Sequence, residues 1–443
     1  MNFSGNEARR DEILSHLGHV KISDLFAQIP NKLLYPEIPL NTGLDEHSLR
    51  RHFQDLSDAN ASALGGIRFQ GGGFYTHYIP SVVDYVSSMG SFTTAYTPYQ
   101  AEVSQGTLQS LFEYQTYISE ITGMENVNAS HYDGATAYAE AFRMMYEANK
   151  RKGGRILVYS QISREYREIL DTYLQFTDAV IEYRDLFESD ANAAEIQLPE
   201  DCAALSVSLP DFHGRVADIR NLADRCKEAG ILLHIHGDPL LLSVITPPGQ
   251  LGADVYTGEG QVLGIPVNLG GPHLGIFAVS GKLLRKIPGR IAGETVDSNG
   301  KRGFVLALST REQHIRRERA SSNICTNQGL MALRALVYMS AMGRDGLQTV
   351  ARKCIHNAHY LISGLRKLTG IEIDQPDALH FRELRVTCDY SVDKLMKYAE
   401  SQGITPGIPV DENSILVSTT EIHGEDELDR LIELFKTFDQ QEV

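Results

Sequence analysis

The sequence predicts an α/β protein: a mostly parallel sheet covered by helices on both faces, followed by a smaller C-terminal α+β domain. Three observations predict it. From about residue 110 to 280, helical periods alternate with short apolar runs, the pattern of parallel strands joined by crossover helices. Past residue 342 the pattern changes to β-rich pieces and ends in an amphipathic helix. A chain of 443 residues that is 42% hydrophobic also exceeds one small core and suits a large domain with one or two smaller ones. The expected divisions are an N-terminal arm with helices over 1–90, a large α/β domain over 91–330 and a small α+β domain over 331–443.

Residues 1–60 read as short helices with turn signals at Pro30, Pro36 and Pro39, an arm suited to wrapping another surface. Gly71-Gly72-Gly73 lacks the Lys-Ser/Thr of a phosphate-binding P-loop and reads as a flexible loop. Residues 92–105, FTTAYTPYQAEVSQ, suit neither a helix face nor an ordinary strand. Pro98 biases Thr97 to an extended backbone, so the segment is either a rigid surface turn or a loop that builds a site from Tyr96, Tyr99, Gln100 and Glu102. Helices are then expected at 133–149, 166–176 and 216–229, with strands at 156–159, 180–183, 203–209, 231–235, 253–257 and 274–279. Ligands of such sheets bind at the strand carboxyl ends. A helical stretch near 327–342, strands at 383–387 and 415–417, and a final helix from about Gly424 complete the chain. That helix carries Leu428, Leu431, Ile432, Phe435 and Phe438 on one face.

A net charge of −16 argues against nucleic acid and against an anionic membrane surface. The basic cluster at 311–319, REQHIRRER, reads as a solvated helix face or a subunit interface rather than a phosphate site. Five scattered cysteines with no CxxC pair indicate neither a disulfide framework nor a zinc knuckle, and fit a reducing cytoplasm. No signal-peptide core and no apolar run approaching ~18 residues is found, so neither export nor membrane spanning is expected.

Two further constellations bear on chemistry. Asp133-Gly134-Ala135-Thr136-Ala137 opens a helix with small residues, leaving N–H groups reachable by an anion that the helix dipole favours; an ordinary Asp-capped helix has the same signature. His234, His236 and Asp238 end a strand, where alternate residues share a face and two histidines can suggest metal. No third or fourth ligand is near in sequence, so hydrogen-bonded strand-end histidines and no metal are expected.

Residues 92–105, with Gly106-Thr107-Leu108-Gln109 and LFEYQTYISEITGM after them, resemble the P-protein of the glycine cleavage system. The resemblance spans essentially the whole chain, including GGGFYTHYIP, the Pro210 to Gly214 turn, GADVYTGEGQVLGIPVNLGGPHLG and ASSNICT. It implies the pyridoxal-phosphate-dependent transferase fold of aspartate-aminotransferase type (fold type I). In that fold Gly134 and Ala135 would cradle the cofactor phosphate, Asp238 would meet the ring nitrogen, and His77 and Tyr78 would lie near the site. Catalytic chains of the family carry a Schiff-base lysine between the strands placed at 253 and 274, yet none occurs between Lys227 and Lys282. Gln261 stands at, or within one residue of, its position. A glutamine amide is neither basic nor nucleophilic and forms no imine.

The resemblance is therefore to the lysine-less alpha subunit, or subunit 1, of split bacterial P-proteins. It implies an α2β2 heterotetramer in which the beta subunit supplies the lysine and binds pyridoxal phosphate covalently. It further implies a subunit of an oxidoreductase, glycine dehydrogenase (aminomethyl-transferring), inactive without its partner. The assembly would decarboxylate glycine with release of CO2 and pass the aminomethyl group to the lipoamide of H-protein. Tyr96, Tyr99 and Gln100 would support a mixed active site at the subunit interface, with His77 as a further candidate. Two alternatives stand beside this. One is a non-catalytic scaffold or regulatory subunit. The other is a self-sufficient pyridoxal-phosphate decarboxylase or desulfurase, whose lysine would be Lys282 or Lys286, beyond the strand that follows the site.

Overall fold

A computed structural model describes residues 9–34, 40–60, 66–94, 96–150, 152–187, 196–268, 270–320 and 322–442, with side chains to 439; the turns expected at Pro36 and Pro39 lie outside them. The chain forms two compact units, residues 1–65 and 66–443. In the first, Asp45 caps the Glu46–Asp58 helix by accepting the Ser48 N–H, and Leu49, Phe53 and Leu56 are exposed along it.

In the second unit, seven strands of the described residues form one sheet in the order Asn126–Val127, Gly275–Val279, Val255–Glu259, Leu232–Gly237, Cys202–Leu209, Arg155–Tyr159, Val180–Arg184. Pairings from Val255–Glu259 through to Val180–Arg184 are parallel, while Gly275–Val279 is antiparallel to both neighbours. The mostly parallel sheet expected from alternation is thus present. Cys202–Leu209 is buried at every position, because helices cover both faces of a parallel sheet and leave no strand residue facing water. The Gly134–Asn149 helix packs Tyr138, Phe142 and Met145 on one face of the sheet. On the other lie Leu111, Tyr114 and Ile118 of the Gln105–Thr122 helix.

A second sheet, ordered Ile371–Ile373, Glu383–Cys388, Ser414–Ser418, Ile408–Pro409, is antiparallel throughout. The final helix, Glu425–Glu442, covers it with Leu428, Leu431, Phe435 and Phe438 buried and Ile432 packed beside them. Two expectations need correction, and one element was unforeseen. The helix expected at 327–342 runs from Gly329 to Leu365, broken only at Gly343 with φ 60°. It enters both cores, with Leu336 and Met339 in the first and Leu361 and Leu365 in the second. The helix expected at 216–229 begins at Arg220, because Arg215–Val216 pairs with Leu379–His380 far along the chain. A hairpin of Ile291–Val296 with Arg302–Ala307 was unforeseen. No helix among the described residues is long and apolar enough to cross a membrane.

Candidate functional site

The carboxyl ends of the parallel strands meet the start of the Gly134–Asn149 helix, where an α/β sheet binds its ligand. A cavity of about 100 Å³ opens there, lined by Tyr166, Ser208, His236, Asp238, Glu259 and Glu383 among others. Asp133 caps the helix by accepting the Thr136 N–H at 2.7 Å. Glycine is required next, since a Cβ on Gly134 would lie 2.6 Å from the Tyr166 hydroxyl and 2.9 Å from the Glu259 Cβ.

The Gly134 N–H points at a side chain of this chain. Glu259 Oε2 accepts it at 2.8 Å, and Oε1 accepts the N–H groups of Gln261 at 2.9 Å and Leu274 at 3.2 Å. Burial pushes the Glu259 carboxyl up to about 7, opposed by the hydrogen bonds from Gly134 and Leu274. Gln261 is buried, and its amide is used on both sides. Oε1 accepts the Tyr75 N–H at 2.9 Å, while Nε2 donates to the carbonyls of Tyr75 at 3.0 Å and Ile265 at 2.7 Å. The side chain thereby pairs with one residue of the glycine-rich segment as a strand neighbour would.

That segment is pinned rather than free. Gly72 N–H donates to Glu383 Oε1 at 2.5 Å, and the Tyr75 hydroxyl donates to Glu383 Oε2 at 2.6 Å. Beside it, the Asp238 carboxylate is ion-paired with the Arg382 guanidinium and accepts the Leu240 N–H at 2.9 Å. Arg382 is buried at φ 54°, a left-handed conformation uncommon for a residue with a side chain. Its guanidinium lies 4.1 Å from the Tyr75 ring centroid and donates to His77 Nε2 at 2.6 Å. His77 Nδ1 in turn faces Glu421 Oε2 at 2.5 Å. These partners fix the neutral tautomer with its proton on Nδ1, and burial lowers the His77 pKa. Glu421 also accepts the N–H of Tyr78, whose side chain is exposed. His77, Cys354 and Glu421 bring ligand-type atoms within 4.8 Å of one another, but the guanidinium on His77 Nε2 makes this an ion network rather than a cation site. His234 is satisfied by Ser206 at 2.9 Å and Thr257 at 2.8 Å, and His236 by Thr257 at 2.9 Å, as expected for strand-end histidines.

Tyr96, Tyr99 and Gln100 do not line this cavity. Tyr96 is 94% and Tyr99 59% exposed, and Gln100 is exposed. The loop is nevertheless anchored. Buried Arg290 donates to the Tyr99 hydroxyl at 2.8 Å and to Thr326 Oγ1 at 3.1 Å, and lies 3.5 Å from Glu312. Of the 311–319 cluster, Arg311 is engaged with the Ile287 and Gly289 carbonyls, whereas Arg316, Arg317 and Arg319 are exposed. Lys282 pairs with Asp254 at 2.5 Å, at the amino end of the Val255–Glu259 strand and away from the cavity at its carboxyl end. Lys286 is exposed. Neither lysine lines the cavity.

Sequence reading named Gln261, Gly134 and Asp238, which the structure brings together with Glu259, Arg382 and Glu383; the last three were not named. One signal was available: Glu259 is a carboxylate two residues before Gln261, in a segment that would otherwise border an anion cradle.

A parallel sheet with a helix start and an Asp at its carboxyl ends, followed by a small antiparallel domain, defines a chain of the pyridoxal-phosphate fold type I class. A solved C-DES variant with glycine covalently linked to its PLP cofactor shares that fold, with TM-score 0.61 and 16% identity over 87% of this chain and 98% of that one. The model of the glycine cleavage system P-protein family matches residues 3–435, and the chain belongs to that family. It is 41% identical to a probable glycine dehydrogenase (decarboxylating) subunit 1 of Thermomicrobium roseum, over 96% of this chain and 97% of that one. A Listeria monocytogenes protein of the same description is 40% identical over 96% of each chain. A crystal structure of an inhibitor-bound glycine decarboxylase (P-protein) superposes with TM-score 0.86 at 37% identity, covering 99% of this chain and all of that one.

Proposed function

We propose that this chain is the lysine-less subunit of a two-chain glycine decarboxylase whose reactive lysine and pyridoxal phosphate reside on a homologous beta subunit, in an α2β2 assembly. In the overall reaction the bond between the glycine α-carbon and its carboxylate breaks and CO2 leaves. The aminomethyl carbon bonds to one sulfur of the lipoyl disulfide of H-protein, and the other sulfur takes a proton. Glycine is oxidised and the disulfide reduced. The carrying observation is Gln261, a buried amide that has no nucleophilic nitrogen and whose donors and acceptor are committed to backbone groups.

The residues of this chain do not fit the cofactor, so its contribution lies at a surface. Tyr96 and Gln100 are exposed on a loop held by the Arg290 anchor, which suits polar groups that enter a neighbouring chain's site with little loss of freedom. The isolated full-length chain is expected to show no borohydride-sensitive imine absorbance and no CO2 release from glycine, with activity returning on addition of the lysine-bearing chain. CO2 release by the isolated chain would overturn the assignment. In the reconstituted complex, Tyr96→Phe and Gln100→Ala should lower turnover on the order of ten-fold without dissociating the subunits. Unchanged turnover would favour the scaffold role.

A further inference from the structure

The cavity and its surroundings carry a second conclusion, which rests on the fold-type reading of the pocket but not on the reaction of the complex. We propose that the pocket is plugged by this chain's own side chains: the Glu259 carboxylate sits on the N–H groups that would take a cofactor phosphate, reinforced by the Arg382 guanidinium on Asp238, so that restoring a lysine at position 261 is not sufficient for uptake of pyridoxal phosphate.

The first plug is electrostatic and geometric. Three N–H groups from three segments, those of Gly134, Gln261 and Leu274, converge on one carboxylate, at a helix start where the dipole favours negative charge. A phosphate ester entering there must either displace Glu259 from all of them or lie beside it. Either way the N–H groups that would bind the phosphate are already taken, and negative charge on Glu259 opposes a second anion beside it. The second plug acts on the ring. Asp238 is already paired with Arg382 and holds the Leu240 N–H. Arg382 is fixed from behind by His77 and lies against Tyr75. A protonated pyridine would therefore have to displace a buried guanidinium, leaving it without its counter-charge. The cavity beside these groups is lined by Ser208, His236, Asp238, Glu259 and Glu383 among others, so a ligand entering it would lie against both the Glu259 carboxyl and the Asp238–Arg382 pair.

Gln261 belongs to the same arrangement. A lysine ammonium donates but does not accept, so Gln261→Lys would leave the buried Tyr75 N–H without its acceptor. The Gly72 to Tyr75 segment would lose one of its attachments to the pocket floor.

Three measurements on the full-length chain test the proposal. Equilibrium dialysis of the unaltered chain with pyridoxal phosphate should show no saturable binding; saturable binding in the micromolar range would overturn it. Incubation of Gln261→Lys with pyridoxal phosphate, then borohydride reduction and peptide mapping, should leave the peptide spanning position 261 unlabelled while surface lysines react. Label at that peptide would show that a missing amine was the sole obstacle and would overturn the proposal. The double variant Gln261→Lys with Glu259→Ser should gain the label, with affinity at least about ten-fold above the single variant, the order expected for removing one opposing charge. A folded double variant that stays unlabelled would refute the assignment of the block to Glu259. If the double variant fails to fold, the dialysis and single-variant arms still decide. None of these readouts depends on glycine turnover, so failure here is distinct from failure of the assigned reaction.

Discussion

Gln261 and Tyr96 sit in opposite surroundings: the first is 1% exposed with its amide committed to three backbone partners, the second is 94% exposed on an anchored loop. The interior where this fold houses its chemistry is closed on itself, whereas the aromatic and amide groups open to another molecule lie on the surface. The difference teaches that a buried polar group is held by its neighbours in the fold, whereas an exposed group is free to meet another molecule, the role proposed for Tyr96.

Breaking the interior should cost stability, and breaking the surface should not. The largest effect is expected for Arg382→Met, which leaves half-buried Asp238 without its counter-charge and removes a guanidinium buried among His77, Tyr75 and Asp238. A loss of about 3–5 kcal/mol should appear as a large fall in the urea midpoint. Next is pH. Burial raises Glu259 and Glu383 each to about 7 from a usual 4.5, so the folded chain holds these protons more tightly than the unfolded one. Stability should then fall as pH rises from about 4.5 to about 7 and level off above, by up to about 3 kcal/mol per group. Unfolding midpoints measured across that window should show a smaller fall for Glu259→Gln. Tyr99→Phe removes the hydroxyl held by Arg290 and should lower stability by about 0.5–1.5 kcal/mol. Tyr96→Phe, at an exposed ring, should stay within about 0.5 kcal/mol of the unaltered chain, its effect visible only in turnover of the complex. A destabilisation by Tyr96→Phe as large as that by Arg382→Met would erase the contrast.

The fold was legible where local pattern decides it. Alternation of apolar runs with helical periods marks strands such as Cys202–Leu209, because a strand buried on both faces is largely apolar, its two serines being hydrogen-bonded or small. The helix start at Gly134 and its Asp133 cap were equally readable, being set by neighbours in sequence. What failed was non-local. The Arg215–Val216 bridge depends on a partner more than 160 residues away, and the long helix continues beyond Met342 because packing against both cores carries it past the Gly343 break. In the site, the place of Gln261 was found from flanking motifs, but its role as a strand-like partner of Tyr75 was not. Arg382 escaped notice because nothing local in HFREL marks an arginine that will be buried against Asp238, 144 residues earlier.

The pairing of Glu259 with the helix start bears on ancestry. On the proposed assignment, regaining autonomy would require at least a new amine and removal of an anion together. Either change alone would loosen a settled interior. Dependence on a companion subunit, as proposed, would then be held in place by the stability of the polypeptide as much as by the missing nucleophile.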